Sequence, residues 1–139
     1  MRNVFADAGY WIALVNPQDD LHQRAKEVSS SLGPVRYTTS EMVLTEFLNS
    51  FANRGEHLRK VAVALVERLR EDPNTTIVPQ TSLLFRDALT LYAERHDKAW
   101  SQTDCGSFQI MRGTGITEGL TYDKHFEQAG FRALLREEH

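Results

Sequence analysis

The stretch V-F-A-D-A-G-Y-W-I-A-L-V, residues 4–15, decides the fold. Val4, Phe5 and Ala6 form a short apolar run. Asp7 and Gly9 follow at once, and Tyr10 to Val15 is a second apolar segment stopped by Asn16-Pro17. A buried strand that ends in a turn and enters a helix reads this way. Outward from it, Asp20 stands where it can cap a second helix running to about Leu32, ended by Gly33-Pro34. Val35 to Thr38 reads as a second strand. Ser40 opens a third helix that lasts to about Arg54, with Gly55 as its stop. Leu58, Val61, Ala62, Leu65, Val66 and Leu69 then recur at helical spacing and define one apolar face of a fourth.

The second half repeats the alternation. Thr76 to Val78 is a strand, Ser82 to about His96 a helix, and Thr103 is placed to cap a helix from Asp104 to Arg112. Gly119 to Tyr122 gives a fourth strand. A helical turn near Phe126 to Ala129 leads to Phe131–Leu135 as a last one. Strands alternating with helices imply a parallel sheet covered on both faces. The expectation is one α/β domain over residues 1–139, a three-layer α/β/α sandwich around four or five short strands.

Composition narrows the function. The chain has 139 residues, 41% hydrophobic and 25% charged, enough for one sizeable core. No apolar run approaches the roughly 20 residues of a membrane span, and the N-terminal M-R-N-V-F-A-D lacks a signal-peptide pattern. With the lone Cys105, which excludes an internal disulfide framework, this points to the cytoplasm. A net charge of −3 carries no global basic signature of a nucleic-acid binder.

Ligands of an open parallel sheet collect beyond the carboxyl ends of its strands. Asp7 directly follows the first strand and Asp123 follows the fourth by one residue, while Asp104 sits in the first turn of a helix. Glu46 lies on an otherwise apolar helix with Val43, Leu44, Phe47 and Leu48, and Asn49, Ser50 and Asn53 share its side. None of its neighbours one turn away is basic, so a buried Glu46 would need a cation. Each acid alone has a plainer reading: Asp7 as a helix cap, Asp104 as a dipole-favoured N1 residue, Asp123 as a turn residue. Together, carboxylates in one pocket repel unless a cation is present. An all-oxygen set suits Mg²⁺ or Mn²⁺, which activates water and clamps a phosphodiester.

Four segments in order resemble the PIN (PilT N-terminus) domain: V-F-A-D-A-G-Y-W-I-A-L-V, L-T-E-F-L-N, W-S-Q-T-D-C-G-S-F and L-T-Y-D-K-H-F-E-Q-A-G-F. In particular they resemble the VapC-type ribonuclease toxins of toxin–antitoxin pairs, over Val4 to about Leu134. The resemblance implies an α/β/α sandwich and Mg²⁺- or Mn²⁺-dependent hydrolysis of RNA that leaves a 3′-hydroxyl. It makes Asp7, Glu46, Asp104 and Asp123 the catalytic and metal-binding acids, with Asp7 and Asp104 as direct ligands. It also implies an antitoxin partner and a homodimer. One departure is Gly9, where the family often carries a hydroxyl or amide side chain; Thr103 matches its usual hydroxyl. Without these four acids the net charge of −3 becomes +1, so whole-chain acidity does not argue against RNA.

Other readings stay open at this point: an RNA-processing PIN nuclease with no toxin role, a non-catalytic PIN module, or a phosphate-receiver domain. The last would want paired acids after the first strand, where Asp7 is followed by Ala8 and Gly9. The five histidines, His125 among them, show no zinc-type spacing. Cys105 reads as a small buried residue, and Trp11 and Trp100 as core or interface residues. The basic positions from Arg54 to Arg70 read first as a solvated helix face; with Lys98, Arg112 and Lys124 they are candidates for RNA-backbone contact.

Overall fold

The computed structural model describes residues 1–137. β1 (Arg2–Ala6) runs into α1 (Ala8–Val15) across Asp7, so the opening stretch does form a strand, a turn and a helix. The chain continues through α2 (His22–Ser31), β2 (Val35–Ser40), α3 (Glu41–Ser50), α4 (Glu56–Glu71) and β3 (Thr75–Val78). Then come α5 (Ser82–Glu94), α6 (Gln102–Thr114), β4 (Glu118–Leu120), α7 (Lys124–Gln128) and β5 (Arg132–Ala133).

The five strands form one parallel sheet in the order β3-β2-β1-β4-β5. From β1 the chain steps outward to β2 and β3, then returns to β4 on the other side of β1 and continues to β5. Right-handed crossovers therefore place the helices before β3 on one face and those after it on the other. This is the expected three-layer sandwich. The direction of winding reverses between β1 and β4, which is where an open α/β sheet offers a crevice at its carboxyl edge.

Several boundaries differ from the sequence reading. α2 begins at His22, and the side chain before it that takes a backbone N–H is Asp19, from Leu21 (2.9 Å), not Asp20. α3 ends at Ser50, four residues before the expected end near Arg54, so Asn53 lies outside it. The N-cap of α6 is Ser101 rather than Thr103, because the hydroxyl–carboxylate pair Ser101 and Asp104 closes a capping box. β5 covers only Arg132–Ala133.

The core is continuous. Val4, Phe5 and Ala6 of β1 are fully buried, as are Phe47 of α3 and Phe108 of α6. Phe108 meets Trp100, Phe126 and Phe131 at ring distances of 4.9, 5.0 and 5.7 Å. It lies one turn after Asp104, and Phe126 lies three residues after Asp123, so this edge-to-face pair fixes α6 and α7 to each other. Gly106 lets α6 approach α3: a Cβ there would sit 2.9 Å from Met42 Sδ. Both tryptophans and Cys105 are core residues.

Candidate active site

Asp7 occupies the N-cap position of α1, yet its side chain makes no capping hydrogen bond. It is turned instead toward β4. Its backbone N–H donates to the Leu120 carbonyl (3.2 Å), and the Thr121 hydroxyl donates to its Oδ2 (3.2 Å). The same Thr121 oxygen accepts the backbone N–H of Asp123 (3.0 Å). One hydroxyl thus ties Asp7, just after β1, to Asp123, three residues past the end of β4, across the point where the sheet reverses its winding. Asp7 and Asp123 line a cleft of about 580 Å³ with Glu46, Asn49, Ser50 and Gly9.

Asp104 is buried at the first turn of α6. Its Oδ2 accepts the backbone N–H of Ser101 (3.1 Å), while its own N–H donates to Ser101 Oγ (3.0 Å). It is the third residue of the helix rather than the first, but its carboxylate still faces the positive end of the dipole. Asp123, expected in its plainer reading as a turn residue, caps α7 by accepting the His125 N–H (2.9 Å) while also lining the cleft. Asn49 and Ser50 share the cleft with Glu46, as their spacing suggested.

Glu46 corrects one step of the sequence argument. The apolar face of α3 is Met42, Val43, Leu44 and Phe47; Glu46 lies on the other side, exposed at the rim of the cleft. Its carboxylate is not desolvated, so burial supplies no reason for a cation there. The desolvated acids are Asp7 and Asp104. Burial, reinforced by the nearby Asp104 and Glu46 carboxylates, pushes Asp7 up to about 7 against the pull of the Ala8 N–H and Thr121 hydroxyl. Asp104 is also raised, by burial and by Asp123, while the Ser101 N–H and His125 oppose the rise.

His125 is the residue the sequence reading missed. Its Nδ1 lies 3.1 Å from Asp104 Oδ2 and 3.2 Å from Asp123 Oδ1, linking the two acids. Among the described residues, Asp104, Asp123 and His125 form a group whose donor atoms all lie within 4.8 Å of one another, close enough to share one metal ion. Asp7 and Glu46 sit beside this group rather than in it. The available signal was D-K-H, which puts the imidazole one residue into the helix that Asp123 caps; a search for paired histidines passes over it.

A five-stranded parallel sheet with acids converging at its winding reversal is the arrangement of a PIN-like hydrolase. No family model matches the chain. It is 31% identical over 128 residues to the 23S rRNA-specific endonuclease VapC20 of Mycobacterium tuberculosis, covering 92% of this chain and 95% of that protein. The crystal structure of that VapC20, described as a sarcin–ricin loop cleaving toxin, superposes with a TM-score of 0.81 at 29% identity, covering 92% and 95% of the two chains. FitAcB from Neisseria gonorrhoeae shares the fold, with a TM-score of 0.62 at 19% identity over 94% of this chain and 95% of that one. The chain belongs to the VapC-type PIN-domain toxin endoribonucleases. No helix among the described residues is long and apolar enough to cross a membrane.

Proposed function

We propose that this chain hydrolyses phosphodiester bonds of ribosomal RNA with Mg²⁺ or Mn²⁺ held by Asp7, Glu46, Asp104 and Asp123. The observation that carries this reading is the pair of desolvated acids, Asp7 and Asp104, each raised in pKa by burial and by another carboxylate. A divalent cation relieves that repulsion, and two carboxylates and an imidazole within 4.8 Å of one another suit one. Such an ion lowers the pKa of a bound water and clamps phosphate oxygens.

The remaining work belongs to the chain. Thr121 orients Asp7 toward the cleft, the Ser101 N–H favours the ionised form of Asp104 against the effect of burial, and His125 links Asp104 to Asp123. Glu46 at the rim faces the substrate side and adds charge without a desolvation cost. Ribosomal RNA as the substrate class rests on the relative named for it. The same reading includes an antitoxin partner, a homodimer and action in the cytoplasm. The test is incubation of purified protein with ribosomal RNA, with Mn²⁺ or Mg²⁺ and with EDTA. Cleavage should require the ion and disappear in Asp104→Asn; cleavage in EDTA, or full activity of that variant, overturns the reading.

A further inference from the structure

The outer face of α5 is uncovered among the described residues. Phe85, Leu89 and Tyr92 are 44%, 49% and 52% exposed, although they recur at the i, i+4, i+7 spacing that ordinarily marks a buried stripe. Two grooves flank this stripe and share Phe85 and Leu89. One includes Gln80, Thr81 and Arg86; the other, of about 800 Å³, runs past Tyr92, His96 and Lys98 to Trp100 and Ser101.

The charge along this face has one sign. Arg86, Arg95, His96 and Lys98 line the two grooves, and no acidic residue does among the described residues. The acids of α5 itself, Asp87 and Glu94, fall on the opposite side of the helix at 100° per residue. Arg95 is partly neutralised by Asp97 (3.0 Å), and its guanidinium stacks on Trp100 at 4.9 Å. Among the described residues, Arg86 and Lys98 have no ion-pair partner. An all-positive face would repel a second copy of itself, whereas it complements phosphate.

The larger groove also reaches the residue that holds Asp104. Ser101, which lines it, exchanges two hydrogen bonds with Asp104, and Gln102 beside it donates to the Phe85 carbonyl (3.0 Å). We infer that the α5–α6 groove binds a single-stranded segment of the RNA substrate, with Phe85 and Tyr92 stacking on bases and Arg86 and Lys98 contacting phosphates. Exposed rings in a cationic channel are the means by which proteins hold single strands. This rests on the ribonuclease reading and deepens it by naming a surface, next to the helix that carries Asp104, that holds the strand.

The test is fluorescence anisotropy of a labelled 12-nucleotide single-stranded RNA (a probe of about that length fits one groove) bound to the full chain in EDTA, over a salt series. Phe85→Ala and Tyr92→Ala should each weaken binding by about tenfold, and Tyr92→Phe should restore it. Lys98→Gln should reduce the slope of log affinity against log salt by about 0.7, as the loss of one phosphate contact requires. Lys26→Gln, on the exposed side of α2, is the control and should change neither. All these residues reach solvent, and thermal melts check that each variant folds.

Unchanged affinity and slope in the α5 variants, beside normal cleavage by the unaltered protein, overturns the groove and leaves the ribonuclease reading standing. The same holds if Phe85→Ala and Tyr92→Ala turn a dimer into a monomer in sedimentation without altering RNA affinity, because a second copy then covers the stripe. An unaltered protein that neither binds the probe nor cleaves RNA overturns both.

Discussion

Replacing Asp7 with asparagine should make the metal-free protein more stable at neutral pH while removing its cleavage. The carboxylate sits where burial raises its pKa from the ordinary 3.8 to about 7. At about 1.4 kcal/mol per pH unit, that distance is on the order of 4 kcal/mol. Asp7 keeps partial contact with solvent, and a partly buried amide carries a desolvation cost of its own, about 1–3 kcal/mol. The net gain from Asp7→Asn should then be about 2 kcal/mol at pH 8, a rise in melting temperature of about 8 °C for a chain of this size.

The sign follows from proton linkage. An acid whose folded pKa is raised binds its proton more tightly in the folded state, so it lowers stability as pH climbs from about 4 to about 7 and levels off above that. The gain from Asp7→Asn should therefore fall to about zero near pH 5. Urea unfolding followed by circular dichroism at pH 5 and pH 8, in EDTA, measures both values. Adding Mn²⁺ at a hundred times its dissociation constant should stabilise the unaltered protein by about 2.7 kcal/mol and the variant far less. A variant less stable than the parent at pH 8, or equally stabilised at both pH values, would refute the desolvation argument.

Other expectations follow from the geometry. His125→Ala removes the imidazole that links Asp104 to Asp123, and by analogy with residues that orient metal ligands it should lower Mn²⁺ affinity by about 10–100-fold in calorimetry. Phe108→Ala should cost about 3–5 kcal/mol in urea unfolding, since the ring is fully buried among Trp100, Phe126 and Phe131. Gly9→Ser should fold normally, because a Cβ there meets nothing within 4 Å, and should raise stability by about 0.5 kcal/mol through helix propensity. Its added hydroxyl enters the cleft, so a change in kcat with the fold intact would mark Gly9 as a position tuning the reaction.

Local chemistry was enough for the alternation of strands and helices and for the placement of three acids. An apolar run ending in Asp7, another ending just before Asp123, and a helix start before Asp104 are all readable within a few residues. Periodicity and capping are properties of neighbouring positions. The sequence also carried the family resemblance through four short motifs in order, which the relatives then bore out.

What the sequence left open was decided by distances between residues far apart in the chain. Glu46 shows it: α3 has a strong apolar pattern, but the pattern does not say on which side of that face a lone polar residue falls, and Glu46 proved exposed. His125 is the opposite case. An isolated histidine has no spacing to detect, and its role exists only because the Phe108–Phe126 contact brings α7 against α6, 21 positions back along the chain from His125 to Asp104. The cap of α6 also depended on structure, where the reciprocal bond to Asp104 sets it at Ser101, two residues before the expected Thr103. The sequence by itself determined which segments become strands and helices and which acids stand at their ends, because those follow from local periodicity. Only the tertiary structure decided which acids lose their water, what bridges them, and which face of α5 stays uncovered, because burial and proximity are properties of the packed whole.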